Sequence, residues 1–104
     1  VYRDGARAAG RHVVVFLMRV DAHEVRFGVT ASRRVGGAVV RSRCKRRLRE
    51  LYRIHRSVFD NFPVDVVVNA RRGSATAPWK ELERDFLASV HRALNMAAQI
   101  SRPG

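Results

Sequence analysis

VVRSRCKRRLRELYR, Val39 to Arg53, is the stretch on which the reading of this chain turns. Seven of its residues are Arg or Lys, and only Glu50 opposes them. Val40, Cys44, Leu48, Leu51, Tyr52, His55 and Phe59 recur at steps of three and four, the period of an amphipathic helix. The double glycine Gly36-Gly37 breaks the chain just before this pattern, and Asp60-Asn61 with Pro63 closes it. If the apolar row, Val40 included, faces a core, the charges take the remaining arc. Arg41, Lys45, Arg49 and Arg53 then follow one another at i, i+4, and Arg43 and Arg47 do so on a neighbouring row. Each like-charge pair opposes the helix by roughly 0.2–0.5 kcal/mol at low salt, and the set by about 1–2 kcal/mol, less under salt screening.

A solvated helix face normally mixes signs, because Glu–Lys pairs help the helix. A face this one-sided points to a polyanion. The whole chain agrees: 104 residues, a formal charge of +12 and a pI near 11.7. With 46% hydrophobic residues it has enough apolar side chains for one folded domain with a modest core. Of the 21 basic residues 19 are Arg, which grips phosphate bidentately. GC-rich codon usage would give the same ratio, so the ratio decides little.

An anionic membrane is the weaker partner. The helix has no exposed Trp, Phe or Leu to insert, and no apolar run is long enough to span a bilayer. Fixed guanidinium spacing suits a structured nucleic acid better than a fluid surface. A basic helix also suits a DNA major groove. Asn and Gln, the usual readers of adenine, are nearly absent from it, and a phosphate-reading helix is compatible with folded RNA.

Outward from the helix, residues 13–18, VVVFLM, read as a buried strand. Asp21 to Glu24 is a turn signal, and residues 25–31 alternate as a half-buried strand, with Val25, Phe27, Val29 and Ala31 on one face. A hairpin of these two strands is expected. Residues 64–70, VDVVVNA, form a third strand, followed by a loop over 71–74. Pro78 suits a first helical position, with Thr76 or Ala77 as cap. Trp79, Leu82, Phe86, Val90, Leu94 and Ala97 form that helix's apolar stripe, and Glu81, Glu83 and Asp85 complement its dipole. The order is strand, strand, helix, strand, helix, in one α+β domain over 1–104. The chain opens at Val1 without Met, and its first ten residues read as mid-domain sequence.

Arg26-Phe27-Gly28-Val29-Thr30-Ala31-Ser32-Arg33-Arg34-Val35-Gly36, with Ala38-Val39-Val40-Arg41-Ser42-Arg43-Cys44-Lys45-Arg46-Arg47-Leu48-Arg49-Glu50, resembles the signature of the bacterial ribonuclease P protein subunit. Val1-Tyr2 with Gly5 and Arg7 is similar to the end of that family's first helix. Asp65 to Val68 with Ala70-Arg71 is similar to its later strand. The resemblance covers nearly the whole chain in order. It implies the order (α)ββαβα with the first helix truncated, and a left-handed βαβ crossover of the kind seen in a small ribosomal protein. That hand runs against the usual rule.

The resemblance also implies a function. The catalyst would be an RNA that removes the 5′ leader of precursor tRNA with magnesium, and the chain its cytoplasmic protein cofactor, with no catalytic residue or metal of its own. Arg41, Ser42, Arg43, Lys45, Arg46, Arg47 and Arg49 would face the catalytic RNA. Tyr2 and Phe16 would line a cleft for the single-stranded leader, with Ser32, Arg33 and Arg34 at its edge. Aromatic side chains suit such a cleft because any base stacks on them. Ser42 stands where the family has Asn, Arg33-Arg34 where it has a Lys pair, and Cys44 where it has a branched aliphatic residue.

Each residue also has a plainer reading. Phe16 fits an apolar core equally well, Tyr2 lies near a chain end, and Arg71-Arg72 fits a solvated loop. Cys44 reads as core packing and offers no disulfide. His12, His23, His55 and His91 lack metal-ligand spacing, and no paired carboxylates or nucleophile motif stand out. The rival functions are a structural RNA-binding protein of ribosomal or assembly type, which needs no aromatic groove, and a DNA-binding regulator, which would show sequence-specific duplex affinity.

Overall fold

The computed structural model describes residues 5–19, 26–60 and 64–101. Tyr2, the turn signal at 21–24, Val25 and Pro63 lie outside them. Strands β1 (Gly5–Ala9), β2 (Val13–Arg19), β3 (Phe27–Thr30) and β4 (Val64–Ala70) form one sheet, and helices α1 (Ala38–Ile54) and α2 (Trp79–Ser101) complete the domain. Single 3₁₀ turns over Arg56–Phe59 and Arg72–Ala75 follow α1 and β4. The fold is α+β as expected.

β4 is the organising strand. Its run VDVVVNA is rich in β-branched residues that pack on a pleated surface, and it alternates between buried Val64, Val66, Val68 and Ala70 and half-buried Asp65, Val67 and Asn69. The sheet order is β1-β2-β4-β3, so β4 lies between the two strands expected to form a hairpin. β2 pairs antiparallel with β4 from Val13↔Ala70 to Arg19↔Val64. β3 pairs parallel with β4 from Phe27↔Val66 to Thr30↔Asn69. The hairpin is therefore not formed. β3 and β4 are joined by a crossover through α1, as parallel neighbours require.

β1 is a further strand where the resemblance placed the end of a helix. Its sequence, GARAA, has no β-branched or aromatic residue to announce it. Pairing with β2, Gly5↔Met18 to Ala9↔Val14, makes it a strand. Small Ala6 and Ala8, both buried, let it lie beneath α2.

The turn between β1 and β2 docks on α2 through one carboxylate. Asp85 accepts hydrogen bonds from the backbone N–H of Arg11 and of His12, each at 2.8 Å. Gly10 is required beside it, because a Cβ there would stand 2.3 Å from Ser89 Oγ and 2.7 Å from the Asp85 oxygens. Two histidines reinforce the packing. His12 Nε2 bonds Glu81 at 2.7 Å, and His55 Nε2 bonds Glu83 at 2.8 Å. The acidic first half of α2 thus ties down neighbouring elements as well as complementing the dipole.

Both helices cover one face of the sheet. Val13, Val15, Leu17, Val66 and Val68 pack there with Cys44, Leu48 and Leu51 of α1 and Leu82, Phe86, Val90 and Ala93 of α2. Val40, expected in the core, is 36% exposed. It lies in the first turn of α1, short of the buried row, and covers Gly36, whose φ of +153° only glycine adopts readily. Among the described residues no helix is long and apolar enough to cross a membrane.

Replacing Asp85 by Ala removes a charged acceptor from two N–H groups, one on the buried residue His12. The expected loss is about 1.5–3 kcal/mol of folding stability, read as a lower urea midpoint at unchanged slope.

Candidate RNA interface

α1 begins at an extended Gly37, with no side-chain cap and no acidic residue in its first turn. It is held by what it buries: Cys44, Leu48 and Leu51 are fully enclosed. On its flank Tyr52 stacks on Phe27 of β3, ring centroids 4.0 Å apart and planes within 11°, and Phe59 closes the cluster at 5.7 Å from Tyr52. Burial raises the Tyr52 hydroxyl above its ordinary pKa. This row and stack fix the rotation of the helix about its own axis.

That rotation sorts the basic residues into three sets. Ser42, Lys45, Arg46, Arg49, Glu50 and Arg53 line an open depression of about 610 Å³ along the outward face. Arg53 Nε donates to Glu50 at 2.6 Å, so the lone acid of the helix is engaged. Among the described residues Lys45, Arg46 and Arg49 form no ion pair. They are cations at helical spacing on a rigid base, a geometry that suits phosphates.

Arg43 and Arg47 form the second set and turn toward the 3₁₀ turn after β4. Arg43 Nε donates to Ala75 O at 2.8 Å. Arg47 donates to Ser74 O at 2.8 Å and to Ala77 O at 2.6 Å, and its guanidinium lies 5.7 Å from the centroid of the Trp79 ring. Burial first, and then the charge of Arg43, pull the Arg47 guanidinium below its ordinary pKa. The helix signature thus holds a clamp on the start of α2 that sequence spacing does not reveal, since its acceptors are main-chain atoms 27 to 32 residues away. Arg41 stands apart, half-buried, with Nε shielded from solvent and without a hydrogen-bond partner among the described residues.

The second candidate surface is the sheet face away from the helices. The pairing register puts Arg7, Phe16, Val67 and Gly28 side by side across all four strands of that face. Phe16 is half-buried, with the Arg7 guanidinium 5.8 Å from its ring centroid. Thr30 Oγ1 hydrogen-bonds Asn69 on the same face. Phe16 is therefore not part of the helix-covered core. Ser32, Arg33 and Arg34 are exposed in the turn after β3, where Val35 N donates to Ser32 O at 3.0 Å and Gly36 N to Arg33 O at 3.2 Å. β3 runs two residues, about 7 Å of strand rise, past the level of Phe16 before this turn leaves it, and Arg72 Nε steadies the turn through Arg34 O at 3.3 Å. Tyr2 is outside the described residues. Among those described, no three His, Cys, Asp or Glu side chains gather as metal ligands.

Fold and site together define a small α+β protein that presents a rigid cationic helix face beside an aromatic-bearing sheet. A family model described as Ribonuclease P matches residues 1–94, and the chain belongs to that family. A relative from Kocuria rhizophila, named ribonuclease P protein component, is 41% identical over 98 residues, covering 92% of this chain and 84% of its own. The solved RNase P protein of Staphylococcus aureus superposes with a TM-score of 0.69 at 26% identity, covering 91% of this chain and 83% of that one. The RNase P protein of Thermotoga maritima gives a TM-score of 0.74 at 24% identity over 85% of this chain and 83% of its own, a likeness of fold.

Arg47→Lys is expected to be non-conservative. A lysine ammonium does not reproduce the planar fork that reaches two carbonyls and covers the indole. Loss of the fork should lower stability by roughly 1–3 kcal/mol, measured by chemical denaturation without any RNA present.

Proposed function

We propose that this chain is the protein cofactor of a ribonuclease P, binding the catalytic RNA through the outward face of α1 and the 5′ leader of precursor tRNA across the sheet face that carries Phe16. The observation that carries the reading is the row Ser42, Lys45, Arg46 and Arg49. Its cations have no carboxylate partners among the described residues and sit on a helix whose rotation is fixed by buried Cys44, Leu48 and Leu51. Arg41, Arg43 and Arg47 flank it, the last two with an internal role as well. The names of the relatives, ribonuclease P protein component, support the same reading.

In this reading the chain supplies binding and positioning, and the RNA supplies the chemistry. Magnesium serves the RNA-catalysed hydrolysis. The leader would pass over Phe16, where a base stacks without sequence demand. Arg7 flanks the ring, and Ser32, Arg33 and Arg34 meet the backbone at the edge, with Tyr2 as the second aromatic residue. The product is tRNA with a mature 5′ end, made in the cytoplasm.

Reconstitution tests this. Added to a bacterial ribonuclease P RNA at low magnesium, the full chain should stimulate precursor tRNA cleavage; absence of stimulation refutes the cofactor reading. Arg46→Ala should weaken binding to the RNA and flatten the log–log salt dependence by up to roughly 0.7–0.9 for each phosphate it no longer neutralises. An unchanged slope would remove Arg46 from the interface. Phe16→Ala, if folded, should lower affinity for precursor more than for mature tRNA, by roughly 5- to 100-fold, the range of one stacked base. Equal weakening for the two would point instead to a structural RNA-binding role without leader recognition.

A further inference from the structure

A second depression lies beside the basic row of α1. It measures about 330 Å³ and is lined by Val39, Arg43, Arg46, Arg47 and Trp79. That volume is at the lower end for sites that hold small organic groups. Arg46 lines both depressions and so joins them.

The walls are of two kinds. Trp79 is half-buried, packed on the core from one side, with the Arg47 guanidinium near its ring. Val39 is 84% exposed, an apolar side chain that helix packing does not use. The other walls are arginines, and no carboxylate lines the groove. Arg43 and Arg47 are held in place by the carbonyls of Ala75, Ser74 and Ala77, so their guanidinium planes are preorganised. Arg46 is exposed and has no ion-pair partner among the described residues. An aromatic ring, an apolar wall and fixed cations are what a nucleotide uses: a flat surface for the base and a counter-charge for its phosphate.

We propose that this groove takes one unpaired nucleotide of the bound RNA, its base against Trp79 and Val39 and its phosphate on Arg46. A strand following the basic row of α1 would turn one base off its path at Arg46. The inference rests on the RNA-binding reading above. An acidic peptide is the poorer fit, since it would satisfy the arginines and leave the indole and Val39 unused.

Trp79 is the only tryptophan of the chain, so its emission, excited where the two tyrosines do not absorb, reports from this groove alone. The full chain is titrated with a bacterial ribonuclease P RNA and, at matched charge, with inorganic polyphosphate and with polyglutamate. RNA is expected to quench Trp79 emission, and the two base-free polyanions to leave it nearly unchanged. Trp79→Leu should weaken RNA binding roughly 5- to 100-fold, the range for one base on an aromatic ring, at an unaltered salt slope because every phosphate keeps its cation. Trp79→Phe should stay within a few-fold of the parent. Val39→Ser, at a position too exposed to affect folding, should also weaken RNA binding with no change in melting temperature. Equal emission changes with RNA and with either control overturn the proposal, as does a folded Trp79→Leu variant that binds RNA as tightly as the parent. RNA binding with a full salt slope and silent Trp79 overturns the groove alone. Absence of RNA binding overturns it together with the reading it rests on.

Discussion

Everything on the outward side of this molecule depends on the burial of one narrow row of α1. Fully enclosing Leu48 and Leu51, with Cys44 beside them, contributes on the order of 1.5–3 kcal/mol for each large apolar side chain. The like-charge repulsion along the helix opposes by about 1–2 kcal/mol in all. Burial wins, and by enough to leave the cations where the helix puts them. The stack of Tyr52 on Phe27 then removes the remaining freedom to roll. A cationic segment without that anchor would be a flexible tail; with it, the spacing between charges becomes a property of the fold.

β4 gives the same kind of support from below. Its buried valines carry β2 on one side and β3 on the other, so the strand preceding α1 and the strand following it are neighbours in space. The crossover holds α1 over the edge where the Ser32-Arg33-Arg34 turn leaves the sheet. The cationic face of the helix and the aromatic-bearing face of the sheet are thereby two surfaces of one rigid body.

The parts legible in the sequence are those whose signal is local. The 3.6-residue period placed α1 and α2, and the β-branched runs placed β2 and β4, but α1 ends at Ile54, short of the expected Asp60-Asn61, and a 3₁₀ turn over Arg56–Phe59 carries the apolar pattern on to Phe59. What escaped depends on partners remote in the chain. β1 is built of Gly, Ala and Arg and becomes a strand only because β2 and α2 flank it. The hairpin expected between β2 and β3 gave way to β4, which the order of strands along the chain does not announce. Val40 fits the apolar period but precedes the region where α1 meets the sheet. At the candidate site, the charge pattern marked the basic face as a whole. It did not separate Arg43 and Arg47, which bond to carbonyls after β4, from Arg46, which does not.

The carboxylates have a consequence of their own. Five of the six carboxylates among the described residues, Glu50, Asp65, Glu81, Glu83 and Asp85, are engaged within the molecule, with Arg53, Arg26, His12, His55 and the N–H groups of Arg11 and His12, and the sixth, Asp60, is exposed. Those five charges act at short range, and with a formal charge of +12 the field that reaches into solvent is strongly positive. Such a field acts before contact. It raises the rate of encounter with a polyanion and orients the approach, over distances that shrink from about 30 Å at 0.01 M salt to about 8 Å under physiological conditions. The internal bonds of a few acidic side chains thus also govern how quickly, and from which side, the molecule meets its partner.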